Sequence, residues 1–381
     1  MRDSDVLIAG AGPAGSIAAL VLARAGARVR VIDRARFPRE KLCGDTVNPG
    51  ALAILRRLNL SAADDGLPVD GMIVTGESGV TCEGFYQNGC QGRALRRLTL
   101  DERLLAQATA AGAVLEEGVL VQSPLVENDR VRGLVVSCGG RRQSLTAPVV
   151  IAADGAGSRL ARTLGLSRHR RHPRRWAVGA YFENVDRSAD APATGEMHVR
   201  RDRYIGIAPL PDQLTNVCVV TADRTALKDP TALICDTIRR DPQLVARFTR
   251  SRATGRATCL GPLAVDSTAC GVPGLLLAGD AAGFIDPMTG DGLRFAFRGG
   301  ELAGLAALSV LEHDTFDASG WLAHARRREF ASKWRFNRTL RALVASAAAI
   351  DVATSVARVW PSAVAHIIRY AGDARADGSS R

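Results

Sequence analysis

The 381-residue sequence predicts an α/β (α+β) protein in which a parallel-sheet domain carries an inserted β-rich domain and a helical C-terminal tail. Three observations lead to this prediction. Residues 5–34 form a strand, a glycine-rich turn, a helix and a second strand in immediate succession. Short β-branched runs separated by turn residues fill 176–220. A helical pattern extends from Gly292 nearly to Tyr370.

The glycine-rich turn has the pattern of a dinucleotide-binding site, although an ordinary turn between a strand and a helix is an alternative. It reads G-x-G-x-x-G and stands between the strand at 6–8 and the helix at 16–25. The first glycine permits the tight bend, the second lets a pyrophosphate approach the backbone, and the third packs the helix against the strand. The pyrophosphate is expected at the helix N-terminus, and the acid that ends the second strand is expected to bind ribose hydroxyls. The predicted cofactor contacts here are Gly10, Gly12, Pro13, Ala14, Gly15, Asp33 and Arg34.

Composition narrows the class of protein. The net charge is +11, but only three of the 50 basic residues are lysines, a bias more typical of a GC-rich coding sequence than of a nucleic-acid-binding protein. The positive balance favours anionic ligands such as dinucleotides, and any membrane contact is expected to be peripheral. The eight cysteines show no C-x-x-C pair and no zinc-like spacing, so we expect no metal and no nucleic acid partner.

The N-terminus predicts the location. Asp3 and Asp5 stand where a secretory signal needs positive charge, and no apolar run reaches the ~20 residues that span a bilayer. We therefore expect a cytoplasmic protein with reduced thiols. The sequence does not indicate an oligomeric state.

Local periodicity places the remaining elements. We predict helices at 51–58, 97–111, 231–239 and 242–251, and strands at 72–75, 81–86, 114–125, 131–137, 143–151 and 274–278. The nucleotide-binding domain is then built from 1–71, 93–175 and 266–330, the substrate domain from 72–92 and 176–265, and the helical region from 331–381. The last residues, 373–381, are expected to be disordered.

Two further motifs extend the dinucleotide pattern. One is ADGAGSRLAR at 153–162, and the other is LLLAGDAAGFIDPMTGDGLRFAFRGGELAG at 275–304. With the glycine-rich turn, they make the chain resemble the p-hydroxybenzoate hydroxylase-like flavoprotein monooxygenase superfamily, and within it the geranylgeranyl reductase family. The resemblance covers roughly 4–310 and implies a glutathione-reductase-like Rossmann domain that binds FAD. It also implies that Asp280 binds the FAD ribitol and that the loop from Pro287 to Gly292 lies near the isoalloxazine.

The segment PREKLCG at 38–44 resembles the reductases' P-R-x-K-x-C-G. Cys43 is therefore a candidate catalytic residue near the flavin, either as a redox thiol or as a small residue in a tight loop. The resemblance implies further FAD contacts by Lys41, Cys43, Gly44, Arg97, Val121, Asp154, Gly279, Asp280, Pro287, Gly290, Gly292 and Leu293. Arg97 matches the family arginine four residues before an L-D aspartate, here Asp101.

The substrate domain departs from the reductase pattern. The reductases carry Y-x-W-x-F-P, and the matching stretch here is Tyr204-Ile-Gly206-Ile-Ala208-Pro209. Tyr204 is the second candidate catalytic residue, but both large aromatics are lost, which predicts a differently shaped pocket. The halogenase motif W-x-W-x-I-P and its lysine are absent from the sequence, which argues against halogenation.

The resemblance implies an FAD-dependent oxidoreductase that acts on a hydrophobic small molecule. NADPH or NADH would bind transiently, because the sequence contains no second G-x-G-x-x-G. The reduced flavin would reduce a C=C bond of an isoprenoid, quinone or natural-product intermediate. The alternative is a monooxygenase that hydroxylates or epoxidises an aromatic or polyketide compound, and a non-catalytic flavin-binding protein is a third interpretation.

Two polar features and one apolar stretch have open interpretations. The basic run at 168–175 either binds an anionic group, such as the NADPH 2′-phosphate or a lipid, or is a solvated linker. His198 is more typical of a structural residue than of a proton donor. The apolar stretch 342–368 faces either a membrane or the rest of the protein.

Overall fold

The computed structural model describes residues 4–87, 89–169, 174–187, 192–343, 355–356 and 359–372. The middle of the basic run, 170–173, most of the apolar stretch up to 358, and the tail from 373 lie outside the described residues. The helices are α1 (Pro13–Arg24), α2 (Pro49–Arg57), α3 (Arg97–Ala110), α4 (Arg159–Thr163), α5 (Pro230–Arg240), α6 (Gly292–Glu312), α7 (Ala318–Leu343) and α8 (Pro361–Gly372). Among these residues, no helix combines the length and the apolar character needed to cross a bilayer.

Within the part of the chain that the structure describes, the strands form two large sheets and three small ones. They are β1 (Val6–Ala9), β2 (Val29–Asp33), β3 (Thr46–Val47), β4 (Leu67–Val69), β5 (Gly71–Thr75), β6 (Thr81–Phe85), β7 (Gly92–Ala94), β8 (Val114–Glu117), β9 (Leu120–Glu127), β10 (Arg130–Cys138), β11 (Arg141–Thr146), β12 (Val149–Ala152), β13 (Ser167–His169), β14 (Trp176–Glu183), β15 (Thr194–Val199), β16 (Arg203–Pro209), β17 (Thr215–Thr221), β18 (Arg252–Leu260), β19 (Val265–Ser267), β20 (Gly271–Val272) and β21 (Leu275–Leu277).

The first large sheet has the order β20-β21-β12-β1-β2-β8, and all its neighbours are parallel except the β20–β21 pair. Strands β1, β12 and β21 are buried along their whole length, as expected for parallel strands covered on both faces. One face packs against α1, α3 and α6, and the other against the antiparallel sheet β11-β10-β9.

Helices α1 and α6 touch through their backbones. A Cβ atom on Gly300 would lie 2.2 Å from the Ala14 carbonyl oxygen, and a Cβ on Gly304 would lie 3.3 Å from the Ala18 carbonyl oxygen. Because these glycines are four residues apart, they occupy one face of α6 and leave a groove for α1. This contact joins the start of the chain to residues nearly 300 positions later, and so closes the first domain.

The second large sheet has the order β18-β14-β17-β16-β15-β5-β6. Its pairs are antiparallel except β15–β5, which is parallel. One face forms a core with α5, in which Phe182 and Phe248 make an edge-to-face contact at 5.5 Å between ring centroids. The opposite face looks towards the first domain, so the two sheets enclose the space between them.

Some predicted elements were wrong in their extent. The helix predicted at 242–251 is a series of turns, because its backbone makes mixed i→i−3 and i→i−4 hydrogen bonds, such as Leu244 N to Asp241 O and Phe248 N to Leu244 O, and not the consecutive i→i−4 bonds of an α-helix. The strand predicted at 114–125 is divided into β8 and β9 by Gly118, whose φ is 72°. The strand at 143–151 is divided into β11 and β12 before Val149. The predicted domain boundaries stay a prediction.

His198 lies inside the second domain, as a structural residue would. It is 2% exposed, and its ring nitrogens bond Thr75 Oγ1 at 2.8 Å and Glu196 Oε2 at 3.0 Å. Burial by itself would raise the pKa of Glu196, but hydrogen bonds from His198 and from Arg247 outweigh it and lower that pKa to about 2. The Glu196 carboxylate therefore stabilises this sheet through its charge.

This charge predicts an acid-labile contribution to stability. Because the pKa of Glu196 falls from 4.5 to about 2 on folding, its contribution is complete above pH 4.5 and is lost as the pH falls towards 2. Urea unfolding should show that Glu196→Gln costs on the order of 2 kcal/mol at pH 7 and clearly less at pH 3. Glu183→Gln, which removes an exposed pair with Arg252, should cost less than about 0.5 kcal/mol. If Glu196→Gln lowered the free energy of unfolding equally at both pH values, the lowered pKa of Glu196 would be contradicted.

Candidate functional site

A cavity of about 930 Å³ lies between the two large sheets. One side is formed by the glycine-rich turn, by 39–48, by the turn at 153–159 and by 279–293. The other side is formed by the second sheet and by parts of α7 and α8. Of the predicted site residues, all except Gly15 line this cavity, including both catalytic candidates, Cys43 and Tyr204. The structure thus brings together motifs that lie far apart in the sequence.

The three glycines of the turn have different local requirements. Gly10 has a φ of 100°, and a Cβ there would lie 2.4 Å from the Ala153 carbonyl oxygen. A Cβ on Gly15 would lie 1.9 Å from the Gly10 carbonyl oxygen, so both positions need glycine for packing. Gly12 has an ordinary extended conformation, and its nearest neighbour would be Arg39 Nη2 at 3.5 Å. The protein's own packing therefore leaves the space in front of Gly12 open.

This open space faces the start of α1. Gly12 is the N-cap of α1 and provides no side-chain cap, so the N–H groups of the first turn are available to a ligand. The Asp33 carboxylate shapes the turn: it accepts hydrogen bonds from Ala11 N and Ala35 N, both at 2.8 Å. A helix N-terminus with free donors and no side chain in front of it suits a pyrophosphate.

The second motif forms another turn at the cavity wall. Ser158 caps α4 by accepting from Ala161 N at 3.0 Å, and one Asp154 oxygen accepts from Arg159 N at 2.9 Å. The other oxygen of Asp154 is buried and has no hydrogen-bond partner among the described residues. Burial raises the pKa of the Asp154 carboxyl. Gly155 and Gly157 line the same turn and would meet no atom within 4 Å if they carried a Cβ.

Asp280 lines the cavity without a partner. It lies in the turn that follows β21, and within the described part of the chain no group hydrogen-bonds its carboxylate. Burial raises the pKa of Asp280, and the charges of Lys41, Arg97 and Arg326 oppose this. Lys41 faces the same space, and its pKa is lowered by burial and by Arg97. A carboxylate aimed into a cavity suits a hydroxyl-rich ligand.

Arg97 begins α3 and makes a buried ion pair. Its guanidinium bonds both oxygens of Asp101, at 2.7 and 2.8 Å, and Arg39 Nη2 reaches Asp101 at 3.2 Å. Burial disfavours the charged form of Arg97, but Asp101 raises its pKa, so the guanidinium keeps its charge. This pair places two positive side chains, Arg97 and Arg39, at the wall of the cavity.

The segment that contains Cys43 rests on the second sheet. Asn216 Nδ2 donates to the Cys43 carbonyl oxygen at 2.9 Å, and Cys218 Sγ lies 3.2 Å from the same oxygen. A Cβ on Gly179 would lie 2.2 Å from Leu42 Cδ1, so a glycine there makes room for the segment. The second sheet therefore holds a loop that lines the same side of the cavity as the glycine-rich turn.

Asp45 also links this segment to the second sheet. It is fully buried, with a φ of 52°, and accepts from Tyr181 Oη at 2.8 Å, Asn216 Nδ2 at 2.6 Å and Arg97 N at 3.3 Å. Burial raises the pKa of Asp45 to about 6, although the hydrogen bonds from Asn216 and Tyr181 favour the charged form. Burial also raises the pKa of the Cys43 thiol. The surroundings of Cys43 thus favour a neutral thiol over a reactive thiolate.

Tyr204 lies in a buried polar cluster beside the cavity. Its hydroxyl donates a hydrogen bond to Asp286 Oδ1, which also accepts from Met288 N at 3.2 Å. Arg175 Nη1 and Arg341 Nε each lie 3.8 Å from Asp286 Oδ2. Burial raises the pKa of Tyr204, and the neighbouring Asp286 carboxylate raises it further, so the phenol stays protonated at neutral pH.

Sequence reasoning missed most of this cluster. Arg175 ends the basic run, for which the sequence predicts either an anion-binding site or a solvated linker, but its side chain is buried. Asp286 lies inside the motif at 275–304, yet only its position next to Tyr204 indicates a role. Arg341 reaches the site from α7, and nothing in the sequence connects that helix with β16.

The substrate side of the cavity is apolar and partly open. Tyr204, Gly206 and Ala208 alternate along β16 and line the cavity. A Cβ on Gly206 would meet its nearest neighbour, Met197 Cε, at 3.9 Å, so the position is not filled by other side chains. The far end is closed by apolar residues of α7 and α8: Phe336, Leu340, Leu343, Ile367 and Ile368.

These features fit FAD. The free helix N-terminus at Gly12 suits the pyrophosphate, Asp33 reaches the cavity beside it, and Asp280 is available to the ribitol hydroxyls. The 280–293 segment turns into α6 beside the same cavity, where its backbone can meet the flavin ring. The fold and the site thus define a flavoprotein oxidoreductase of the glutathione-reductase-like type.

Comparisons with known proteins agree. The FAD binding domain family model matches residues 3–299. A menaquinone reductase of Mycolicibacterium smegmatis is 31% identical over 321 residues, 79% of this chain and 75% of that protein. Digeranylgeranylglycerophospholipid reductase 1 of Methanopyrus kandleri is 30% identical over 322 residues, 83% of each chain.

Solved structures show the same fold. A geranylgeranyl bacteriochlorophyll reductase-like protein of Thermoplasma acidophilum has a TM-score of 0.77 at 22% identity, covering 98% of this chain and 100% of that one. A flavin-dependent brominase has a TM-score of 0.84 at 21% identity, covering 97% and 93%. The chain belongs to the FAD binding domain family, as a member of its geranylgeranyl reductase branch, and is an FAD-dependent oxidoreductase.

The open space at Gly12 yields a test of cofactor binding. Because Gly12 has an extended backbone and a Cβ would meet no close neighbour, Gly12→Val should fold and stay soluble but lose most of its bound flavin. Absorbance after purification measures flavin content, and chromatography of the released cofactor should identify FAD and not FMN. Gly26→Ala, at a positive φ outside the cavity, should cost about 1 kcal/mol of stability and remain yellow. A fully yellow Gly12→Val would show that the turn is only structural.

Asp280 provides a second test. Asp280→Ala should weaken FAD binding by about ten- to a hundredfold, since hydrogen bonds to a charged acceptor contribute roughly 1.5–3 kcal/mol. Flavin fluorescence on titrating the apoprotein with FAD measures this affinity. Asp314→Ala, a highly exposed residue, should bind FAD like the unaltered protein. Unchanged affinity for Asp280→Ala would place the ribitol elsewhere.

Proposed function

We propose that this protein uses NADPH or NADH to reduce a C=C bond of a hydrophobic substrate: an isoprenoid, a quinone or a natural-product intermediate. The observation that carries the proposal is the continuity of one cavity from the FAD-binding residues to an apolar chamber. That chamber is walled by the second sheet and closed by α7 and α8. Two relatives at 30% identity or above carry names of reductases, one of a menaquinone and one of a digeranylgeranyl lipid.

The chain's own residues would bind the substrate and provide a proton. FAD, when bound, supplies a hydride that it has received from the nicotinamide. The second carbon of the C=C bond then needs a proton, so that two hydrogens are added in total. The Tyr204 phenol is buried, neutral and faces the cavity, and Asp286 holds its hydroxyl in place. We assign the proton donation to Tyr204, with Asp286 as its positioning residue.

Cys43 is also proposed to take part in substrate binding. Its thiol also stays protonated, because burial raises its pKa, and it lines the cavity beside Gly44. Its carbonyl oxygen is held by Asn216 of the substrate domain. Cys43 is therefore proposed to position the loop against the flavin and to contact the substrate as a neutral group.

One observation favours a second candidate, a monooxygenase. Gly206 and Ala208 leave space on the substrate side where the reductase pattern has large aromatics. Such space could hold an aromatic or polyketide substrate together with oxygen. The fold also occurs in flavin-dependent halogenases. The reductase remains the proposal, since the named sequence relatives are reductases.

We also propose the kind of substrate that the protein binds and where the protein is located. The substrate is a hydrophobic small molecule, the location is the cytoplasm, and any membrane contact is peripheral. The apolar lining of the substrate chamber supports the hydrophobic substrate.

An anaerobic reoxidation experiment separates the two reactions. The bound FAD is photoreduced without oxygen and then mixed with polyprenyl or quinone-like lipids, or with aromatic compounds. Flavin reoxidation in the absence of oxygen, with a product heavier by two hydrogens, is the expected result. Tyr204→Phe should slow this reoxidation while leaving flavin content unchanged. A product heavier by one oxygen atom, formed only after oxygen is admitted, would establish the monooxygenase instead.

A further inference from the structure

Tyr86 provides a further phenol at the wall of the cavity, besides that of Tyr204. It follows β6 directly and lines the cavity near the end that α8 closes. Within the described part of the chain no group hydrogen-bonds the Tyr86 hydroxyl, whereas the Tyr204 hydroxyl donates to Asp286. A partly buried hydroxyl that makes no hydrogen bond within the protein is available to a ligand that supplies an acceptor.

The ring of Tyr86 is held between two glycines. A Cβ on Gly372 would lie 2.3 Å from its Cε1 atom, and a Cβ on Gly92 would lie 3.5 Å from its Cε2 atom. Gly372 ends α8 and Gly92 begins β7, so two separate elements contact the two edges of the ring. A ring packed this closely keeps one orientation. Its hydroxyl therefore has a fixed position without a hydrogen bond to hold it.

The end of the chamber around Tyr86 is otherwise apolar. A Cβ on Gly84, two residues before Tyr86, would lie 2.5 Å from Ile368, and both Ile368 and Ala371 line the cavity from α8. A single polar group in an apolar pocket fixes the orientation of a ligand and discriminates between ligands. A hydrocarbon placed here leaves the hydroxyl without an acceptor, and an oxygen-bearing substrate supplies one.

The local charge favours a neutral acceptor over an anionic one. Burial and, after it, the charge of the Asp291 carboxylate raise the pKa of Tyr86 to about 12, so the phenol is a neutral donor at pH 7. Lys333 lies 3.5 Å from Asp291, but the charge that acts on Tyr86 is that of the carboxylate. The same negative charge disfavours a phosphate beside the hydroxyl and does not disfavour a carbonyl oxygen.

We propose that Tyr86 is a specificity-determining residue, whose hydroxyl donates a hydrogen bond to a neutral carbonyl oxygen of the substrate. It would select a carbonyl-bearing substrate, such as a quinone, over a hydrocarbon or a phosphate-bearing isoprenoid. This inference rests on the proposed function, because it concerns the substrate of the same chamber. It gives Tyr86 a role in binding, and proton donation stays with Tyr204.

The test measures ligand binding to the FAD-loaded protein in its oxidised state, so that no electron transfer is involved. Equilibrium dialysis compares menadione, a methylnaphthoquinone with two carbonyl oxygens, with methylnaphthalene, which has the same carbon frame and no oxygen. Tyr86→Phe keeps the ring and removes the hydroxyl. It should weaken menadione binding by about two- to tenfold, the effect of one neutral hydrogen bond, and leave methylnaphthalene binding unchanged.

Tyr370→Phe is the matched control. Tyr370 lies two residues before Gly372 on α8 and is not among the residues that line this cavity, so its loss of a hydroxyl should leave the binding of both ligands unchanged. Infrared difference spectra provide a second measurement. The carbonyl stretch of bound menadione should lie at lower frequency in the unaltered protein than in Tyr86→Phe, a shift that a merely structural role for Tyr86 would not produce.

Two outcomes would overturn the assignment. One is an equal menadione affinity and an equal carbonyl stretch in Tyr86→Phe and the unaltered protein. The other is a loss of affinity for geranyl phosphate that exceeds the loss for menadione, because the acceptor would then be an anion.

The binding measurements separate this assignment from the proposed reaction. If menadione binding depends on Tyr86 but anaerobic reoxidation gives no product heavier by two hydrogens, the proposed reaction fails and the role of Tyr86 holds. If the reoxidation gives that product and Tyr86→Phe binds menadione like the unaltered protein, the reaction stands and the role of Tyr86 is wrong.

Discussion

The close approach of backbones around the glycine-rich turn is the constraint on which the rest of this structure depends. Gly15 lets α1 begin against the Gly10 carbonyl, and Gly300 lets α6 lie on the backbone of Ala14. A Cβ at Gly15 or Gly300 would meet backbone atoms, which cannot rotate away, so the layers would have to move apart. The same packing directs the N-terminus of α1 towards the cavity and leaves the space in front of Gly12 open to a ligand.

Both domains build the cofactor side of the cavity. The loop from Leu42 to Asp45 belongs to the first domain, yet Asn216 and Tyr181 of the second sheet supply its hydrogen bonds. Because Asp45 is buried, its partners determine both its charge and the position of the loop. A shift of the second sheet would therefore move Cys43 relative to Gly12 and Asp280 on the other side of the cavity.

Two buried carboxylates join the helical region to the site. Asp286 lies near Arg341 of α7, and Asp291, at the N-cap of α6, lies 3.5 Å from Lys333 and accepts from Asn337. These α7 side chains are spaced at helical intervals and face the loop that precedes α6. Lys333 also donates to the carbonyl oxygens of Tyr370 and Ala371, so α7 contacts both the start of α6 and the end of α8. The C-terminal helices thus act as a wall of the site and not as an appended tail.

The sequence alone determined the cofactor and the parallel-sheet domain, because phosphate-binding turns and buried parallel strands depend on local patterns of glycine and apolar residues. Its candidate site residues line the cavity, all except Gly15, and their roles in binding FAD stay a prediction. It also indicated, through Gly206 and Ala208, that the substrate side differs from the reductase pattern. Only the tertiary structure placed Asp286, Arg175 and Arg341 around Tyr204, and placed α8 across the chamber. Those contacts join residues up to 111 positions apart, as in the pair of Arg175 and Asp286, and no local periodicity records which distant side chains will meet.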